Sequence, residues 1–501
     1  MAMRTSRVAP MKQRGTCGRR RVVGSSVAVE AAETIRKQKR QQDEAVVVGG
    51  GPVGLLTAMM LVQRGWKRVQ VIDRLAPPPP PELADAWGTA DRSYNLGISW
   101  RGQRALKRYG ALDRVIRWSA PYNGRKDWNP KGKCAEREVM ERAIPTQVIQ
   151  RDRLVGCILQ EVEERFQDTI DVQHGVECVA IRWLEDKQVE LDVKKEGGEI
   201  ETIHTAFVVG ADGANSVIHK AMEERAEKDK SLFKPQSFKV TRFPPAFTRV
   251  YKTVLLHFPD GWRKDFNYSA RGEDDVVLEV LPTHEGLGIG VVLFKPENDK
   301  LLNLTKETVR EFFDRNFTGL SPLIEQEELE RFLTKRVYNL PEFQYSGPTL
   351  HAEGSTVLLG DAIHVVKPYF GLGLNSALED VEILDNCLEE QGNDPSKAIV
   401  AFSNARAKDS QNLVEVSRKF DGGFVRFVLP RIIDGAFHKL MPAVFTRDAI
   451  KCMQLGGMTY TQVRWRKRGE KILQLLLVFG VLRTVSFVVG SAATFAMQLV
   501  A

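Results

Sequence analysis

Val46 to Gly54, VVVGGGPVG, decides the fold. An apolar β-branched run suits a buried strand, and the G-x-G-x-x-G that follows leads into an amphipathic helix from Pro52 to Arg64, with Gly65 placed to end it. Each glycine has its own reason to be there. Gly49 permits the tight turn, Gly51 lets a pyrophosphate approach the backbone, and Gly54 allows helix and strand to pack closely. The next strand, Val69 to Ile72, ends at Asp73, where a carboxylate can accept from ribose hydroxyls. A glycine-rich turn in any α/β core would account for the glycines; it would not account for the acid.

Two later segments repeat the theme. Val357 to Asp380, VLLGDAIHVVKPYFGLGLNSALED, is an apolar strand that stops at Gly360-Asp361, then a Pro- and Gly-rich turn (Pro368, Gly371, Gly373), then a helix opening near Asn375. A strand that delivers a carboxylate to a turn, with bare amides at the mouth of a helix, is suited to phosphate and ribose. Between the two, Thr202 to Val209 reads as one strand running into Gly210-Ala211-Asp212-Gly213, with a helix from Ala214. No second complete G-x-G-x-x-G exists, because Gly286-Leu287-Gly288-Ile289-Gly290 has the wrong spacing.

The intervening chain supplies the rest of an α/β fold. Pro77 to Pro81 cannot lie in a helix or central strand and reads as a loop. Asp91 to Gly110 reads as an extended segment and a helix, and Gln147 to Arg165 as a strand turning into a helix at Arg151. Val189 to Val193 alternates as a half-buried strand does. Strands are expected at Tyr251 to Phe258, Val276 to Pro282 and Leu287 to Phe294, and helices over 375–420. The chain therefore divides into a leader (1–42), a Rossmann-type nucleotide-binding part (43–231), a β-rich substrate part (232–345), a return to the first part (346–415), C-terminal helices (416–471) and an apolar tail (472–501). Arg104 and Arg153 read as solvated helix charges, and His364 as structural.

Charge is concentrated at the ends. The net charge is +8, yet residues 1–40 hold eleven Lys/Arg against Glu30 and Glu33, so the remaining chain is close to neutral. Nucleic-acid binding loses its main argument. Residues 1–29 carry seven basic residues and no acid, without an apolar core, as in an organelle transit peptide for mitochondrion or plastid. Residues 464–471, RWRKRGEK, form a basic collar before Ile472 to Ala501, an apolar run broken by Arg483; this points to a membrane-associated tail. The six cysteines are dispersed and suit a reducing compartment, and no metal site is readable.

The ordered triple of G-x-G-x-x-G, A-D-G, and G-D followed by P-x-x-G-x-G-x-N resembles the FAD-dependent aromatic hydroxylases, the p-hydroxybenzoate hydroxylase-like family, over roughly residues 43–415. RSYNLGISWRGQRALKRYG (92–110), IQRDRL (149–154), GDAIHVVKPYFGLGLNSALED (360–380) and MPAVF (441–445) resemble its kynurenine-hydroxylating branch. The resemblance implies an FAD-dependent monooxygenase that uses NADPH and O2 on an aromatic substrate, with a kynurenine-like amino acid favoured. It implies Gly49, Gly51 and Gly54 at the FAD pyrophosphate, Asp73 at the adenosine ribose, Arg151 at the phosphates, and Asp212 near both FAD and the nicotinamide cofactor. Asp361 would meet the ribitol or pyrophosphate, and Gly373, Leu374 and Asn375 the isoalloxazine. Arg92 would grip a substrate carboxylate, with Asn375 lining the same pocket. NADPH would bind transiently rather than in its own domain. Two other readings remain open: a flavin-dependent oxygenase or reductase of a membrane quinone or isoprenoid, and a flavin-binding membrane protein without oxygenase activity.

Overall fold

The computed structural model describes residues 43–87, 94–138, 144–228, 238–245, 248–273, 275–421 and 427–500. The leader expected over 1–42 and Arg92 both lie outside the described residues. Five strands build a parallel sheet: β1 (Glu44–Val48), β2 (Arg68–Asp73), β3 (Ile170–His174), β4 (Val208–Gly210) and β5 (Thr356–Leu358), in spatial order β5-β4-β1-β2-β3, with His351–Ala352 antiparallel at one edge. Four residues of β1 and all of β4 and β5 are buried, as expected of a sheet covered on both faces.

Helices cover that sheet: α1 (Pro52–Gln63), α2 (Trp100–Tyr109), α3 (Arg151–Phe166), α4 (Leu372–Glu390) and α5 (Pro395–Arg418). The amphipathic pattern expected of α1 is not observed, since Pro52 and Gly54 through Leu61 are all buried. The reason is its position: α1 packs against β2 and is walled in by α2, α3 and α4. Gly65, at φ +101°, ends its turn. The single strand expected over Thr202 to Val209 is two. Ile200–Thr205 pairs with Val189–Lys194 in a separate three-stranded sheet, whereas Val208–Gly210 joins β1.

A second sheet is antiparallel except at one pairing, in the order Tyr338–Asn339, Val250–His257, Leu287–Phe294, Val277–Pro282, Phe266–Arg271, Gly124–Trp128 and Cys134–Glu138. Helices Val309–Asn316 and Gln326–Thr334 close its apolar face, where Phe313 meets Phe332 edge-on at 5.2 Å. The Gly124–Glu138 hairpin enters this sheet from far upstream, and its polar residues hide it from a reading by periodicity. A parallel backbone ladder to Phe266–Ala270 holds it, with Arg125 reaching Glu279 at 3.1 Å, while Arg137 to Asp127 at 2.6 Å ties the hairpin's own two strands.

Arg153 overturns its expected role as a solvated charge. Its side chain is 0% exposed. Nε and Nη2 donate to the Pro81 carbonyl at 2.9 and 2.7 Å, Nη1 reaches Glu285 at 2.5 Å, and the guanidinium lies over the rings of Trp87 and Trp118. A buried carbonyl at the end of a proline run has few donors available, and Arg153 supplies them. Arg104 is half-exposed but bound in a fork to Glu382 at 2.9 and 2.7 Å.

Three helices complete the chain: α6 (Leu429–Leu440), α7 (Ala449–Leu455) and α8 (Tyr460–Val500). The root of α8 is set into the body: Tyr460 and Val463 are buried, the Thr461 amide donates to Asp409 at 2.7 Å, and Asn412 donates to the Thr461 hydroxyl at 2.8 Å. Over residues 475–492 the helix is exposed and apolar apart from Arg483 and a few hydroxyls.

Candidate functional site

The three motifs, scattered over some three hundred residues, end side by side because β1, β4 and β5 are adjacent parallel strands that finish at the same edge. Ligands of such sheets bind at that carboxyl edge. Gly49 has φ +107°, and a side chain there would collide with the Ala211 carbonyl of the A-D-G element. The first motif thus packs on the second through glycine. A side chain at Gly54 would collide with the Gly49 carbonyl, whereas one at Gly51 would meet nothing within 4 Å. The approach reserved at Gly51 is therefore open, in front of a helix whose first turn holds no acid and no side-chain cap. Asp73 accepts from the Gly50 amide at 2.6 Å and the Leu75 amide at 2.8 Å, which fixes the acid beside the glycine turn.

The second and third motifs are tied by a histidine. His219, buried, donates from Nδ1 to the Ala362 carbonyl at 3.2 Å, and burial pushes its pKa down to about 4, so the ring is neutral. Asp212 caps the following helix by accepting from the Val217 amide at 2.7 Å, while its Oδ1 is buried without a partner. Burial raises its pKa against the pull of these hydrogen bonds. Asp361 is exposed to solvent on one side and crowded by protein on the others. That crowding raises its pKa, and nearby His364 and Arg151 pull it back.

Beneath the turn is a buried charge network that sequence reasoning missed. Asp380 Oδ2 accepts from the Gly360 amide at 2.9 Å and pairs with His364 Nε2 at 2.8 Å, and Oδ1 accepts from Arg406 at 2.6 Å. Arg406 also binds Asp409 at 2.9 Å, Glu379 at 3.2 Å and Ser376, and Glu379 pairs with Arg101. Burial alone would raise the Asp380 carboxyl; Arg406, His364 and the Gly360 amide hold it below its ordinary value. His364 is buried as one member of this scaffold, with its Nδ1 unpartnered.

Arg151 opens α3, as its strand-to-helix junction predicts, and pairs with Asp152 at 2.7 Å. Tyr94 stands beside it. Burial raises the Tyr94 phenol, Arg151 lowers it, and Asp361 and Asp152 raise it further. Tyr251 of the antiparallel sheet feels Tyr94 in turn, lies in tilted contact with Tyr338 at 5.6 Å, and is pushed up to about 12 by burial. These phenols connect the nucleotide edge to the second sheet, and Asn95 joins the two again by donating to Pro282 at 3.1 Å. Tyr94 sits inside a quoted motif, but nothing in its spacing marks it.

Asn375, expected along the pocket, is buried and spends its amide on backbone. It donates to the Gly97 carbonyl at 2.8 Å and to Gly371, and accepts from the Ser99 and Gly102 amides at 2.8 and 3.2 Å. Any effect on the pocket goes through the turn it holds. Gly371, at φ +63°, caps α4, whose first turn carries Leu372, Gly373 and Leu374 and no acid. Leu374 is half-buried against the core, and a side chain at Gly373 would press on Val366 at 3.3 Å.

A sequence profile of the FAD binding domain family matches residues 42–417. Kynurenine 3-monooxygenase from Saccharomyces cerevisiae is 26% identical over 381 residues, covering 70% of this chain and 77% of that protein. The Sus scrofa kynurenine 3-monooxygenase is 24% identical over 450 residues, covering 87% and 89%. Among solved structures, P. aeruginosa PqsL in complex with 2-aminobenzoylacetate is similar in fold, with a TM-score of 0.58 at 19% identity over 76% of this chain and 97% of that one. The residues present suit FAD: an open approach at Gly51, an uncapped helix start, an acid beside the glycine turn, and an unpartnered buried oxygen on Asp212. With three-quarters of its length matched by the profile and the glycine turn, A-D-G and G-D elements gathered at one sheet edge, the chain belongs to the FAD binding domain family.

Proposed function

We propose that the protein is an FAD-dependent monooxygenase that uses NADPH and O2 to hydroxylate an aromatic substrate, with a kynurenine-like amino acid favoured. The observation that carries this reading is the gathering of the glycine turn, the A-D-G element and the G-D element at the carboxyl edge of the adjacent parallel strands β1, β4 and β5. Bound FAD supplies O2 activation and the transfer of one oxygen atom to the ring. The protein supplies placement. Gly49, Gly51 and Gly54 with the start of α1 take the pyrophosphate, Asp73 the adenosine ribose, and Arg151 adds a positive charge at the phosphates. Asp212 serves FAD and the nicotinamide cofactor, Asp361 the ribitol side, and Gly373 and Leu374 the ring system. Tyr94, its phenol held protonated, can donate a hydrogen bond at neutral pH, and the Tyr94, Tyr251 and Tyr338 rings exclude water. Arg92 binds the substrate carboxylate in a charge-assisted pair.

The nucleotide-binding parts are residues 43–231 and 346–415, with 232–345 presenting the substrate sheet. One helix, Tyr460–Ala492, is long and apolar enough to cross a membrane by length and composition. We place the protein on an organelle membrane through this tail, with residues 1–42 as its mitochondrial or plastid leader.

Full-length protein with FAD should show NADPH oxidation stimulated by kynurenine, with a hydroxylated product, in a screen that includes other aromatic acids and quinones. Arg92→Ala should raise KM for the amino acid by about tenfold or more, the worth of one charge-assisted pair of about 1.5–3 kcal/mol. Stimulation by a quinone alone, with Arg92→Ala unchanged, would overturn the substrate.

A further inference from the structure

The C-terminal helices carry their polarity inside out. α6, LPRIIDGAFHKL, buries its acid: Asp434 is 5% exposed and pairs with Lys467 at 3.1 Å and Gln474 at 3.2 Å on α8. Leu429, Ile432, Ile433 and Leu440 fall at helical spacing on the opposite side, with Ile432 57% and Leu440 76% exposed. A helix on a water-facing surface shows the reverse arrangement. The exposed apolar surface continues past α6. Val444 follows it in the chain, and Ile472, Leu475 and Leu476 of α8 lie at the level of the Asp434–Gln474 contact.

Basic and aromatic groups collect at the same level. Trp465 is exposed with Arg468 over its ring at 5.2 Å, Lys439 borders the stripe of α6, and Lys471 ends the collar, while Arg431 lies on the Asp434 side of the helix and pairs with Asp448 at 3.6 Å. Lys419 nearby is held below its ordinary pKa by burial and by Lys471, Arg464 and Arg468, a sign of how densely positive the region is. Exposed Trp and Lys/Arg around an apolar surface match an interface with anionic headgroups. At twelve residues α6 is roughly 18 Å long, well short of the bilayer core of about 30 Å, so it cannot cross.

We propose that α6 is a second membrane element, lying in the plane of the bilayer surface with Leu429, Ile432, Ile433 and Leu440 in the acyl region and Lys439, Arg468 and Lys471 against anionic headgroups. This rests on the reading of α8 as membrane-associated. Two attachments rather than one fix how the protein stands on the membrane. The stance is passed to the site, because the Gln454 side chain of α7 donates to the Phe370 carbonyl in the turn before α4 at 2.9 Å.

The test uses the full chain with FAD bound, in phosphatidylcholine–phosphatidylserine vesicles carrying a nitroxide-labelled lipid. Single environment-sensitive fluorophores are placed by Ile432→Cys, Leu440→Cys, Phe479→Cys on α8, or Glu199→Cys as an aqueous control. The background lacks Cys17 and the exposed Cys134, and Cys157, Cys178, Cys387 and Cys452 are buried. Retained flavin absorbance confirms folding. Blue-shifted, lipid-quenched emission at 432 and 440 as well as 479 is expected. Quenching at 479 with water-like emission at 432 and 440 overturns the role of α6 and leaves the α8 anchor standing. Water-like emission at all three overturns both. Blue-shifted but unquenched emission at 432 and 440, with a dimer in sedimentation, assigns the face to a second copy of the chain and also overturns the proposal.

Discussion

Replacing Asp380 with Asn tests whether the buried charge network holds the cofactor turn. The carboxylate takes three partners, Arg406 Nε at 2.6 Å, His364 Nε2 at 2.8 Å and the Gly360 amide at 2.9 Å, and it is 0% exposed. Asn has the same shape but only one accepting oxygen. If that oxygen faces Arg406, its NH2 opposes the Gly360 amide; if it is flipped, the NH2 opposes Arg406. Either way one buried donor meets another, and Arg406 loses part of its compensation. Removing one partner of a buried pair costs about 3–5 kcal/mol, which for a chain of this size lowers Tm by roughly 3–5 °C. Gly360 precedes Asp361, so loosening its amide should also weaken FAD binding about tenfold, or roughly 1.4 kcal/mol. The folded-state pKa of Asp380 is depressed, so its contribution is present above the ordinary value of 3.8 and is lost as pH falls through the folded pKa. The gap between wild type and variant should therefore be constant near neutrality and close only in strong acid. Thermal melts of the apoprotein across pH, with FAD titrations followed by flavin fluorescence, read both effects. A variant that melts within about 1 °C of wild type and keeps its FAD affinity would refute the network as the support of the turn.

Gly51→Ala and Gly54→Ala separate two roles in one motif. The added methyl at Gly51 meets nothing, so the apoprotein should melt as wild type does while FAD affinity falls by about tenfold or more. At Gly54 the methyl strikes the Gly49 carbonyl, so the apoprotein itself should lose about 1–3 kcal/mol; equal melting of the two variants would contradict the packing described. Asp361→Asn should stabilise the apoprotein at neutral pH while weakening FAD binding. Its carboxyl pKa is raised in the folded state, so its stabilising contribution is complete below 3.8 and lost as pH rises through the folded value. The advantage of the Asn variant in thermal melts should accordingly vanish in acid, and an apoprotein destabilised at pH 7 would count against the crowding at Asp361.

Whatever depends on neighbours in the chain was legible. The glycine turn at Gly49, the acid ending β2, the junction at Arg151 and the strand Leu287–Phe294 all follow from backbone sterics and short-range periodicity, which act over a few residues. The apolar run that becomes α8 was equally plain. Arg153 defeated that kind of reasoning because its partner is a carbonyl in a proline loop seventy-two residues upstream. The Gly124–Glu138 hairpin did so because its polar strands join the sheet by backbone pairing with Phe266–Ala270, more than a hundred residues downstream, which no local alternation marks. By itself, then, the sequence determined that the chain folds as a split α/β nucleotide binder with a β-rich insertion and an apolar tail. Only the tertiary structure decided that Asp380 and Arg406 brace the late turn, that Asn375 spends its amide on backbone, that Tyr94 meets Tyr251, and that α6 turns its apolar side outward. The physical reason is range: these outcomes depend on pairs as distant as the 278 residues between Arg101 and Glu379, and desolvated charges choose their partners only once the core has closed around them.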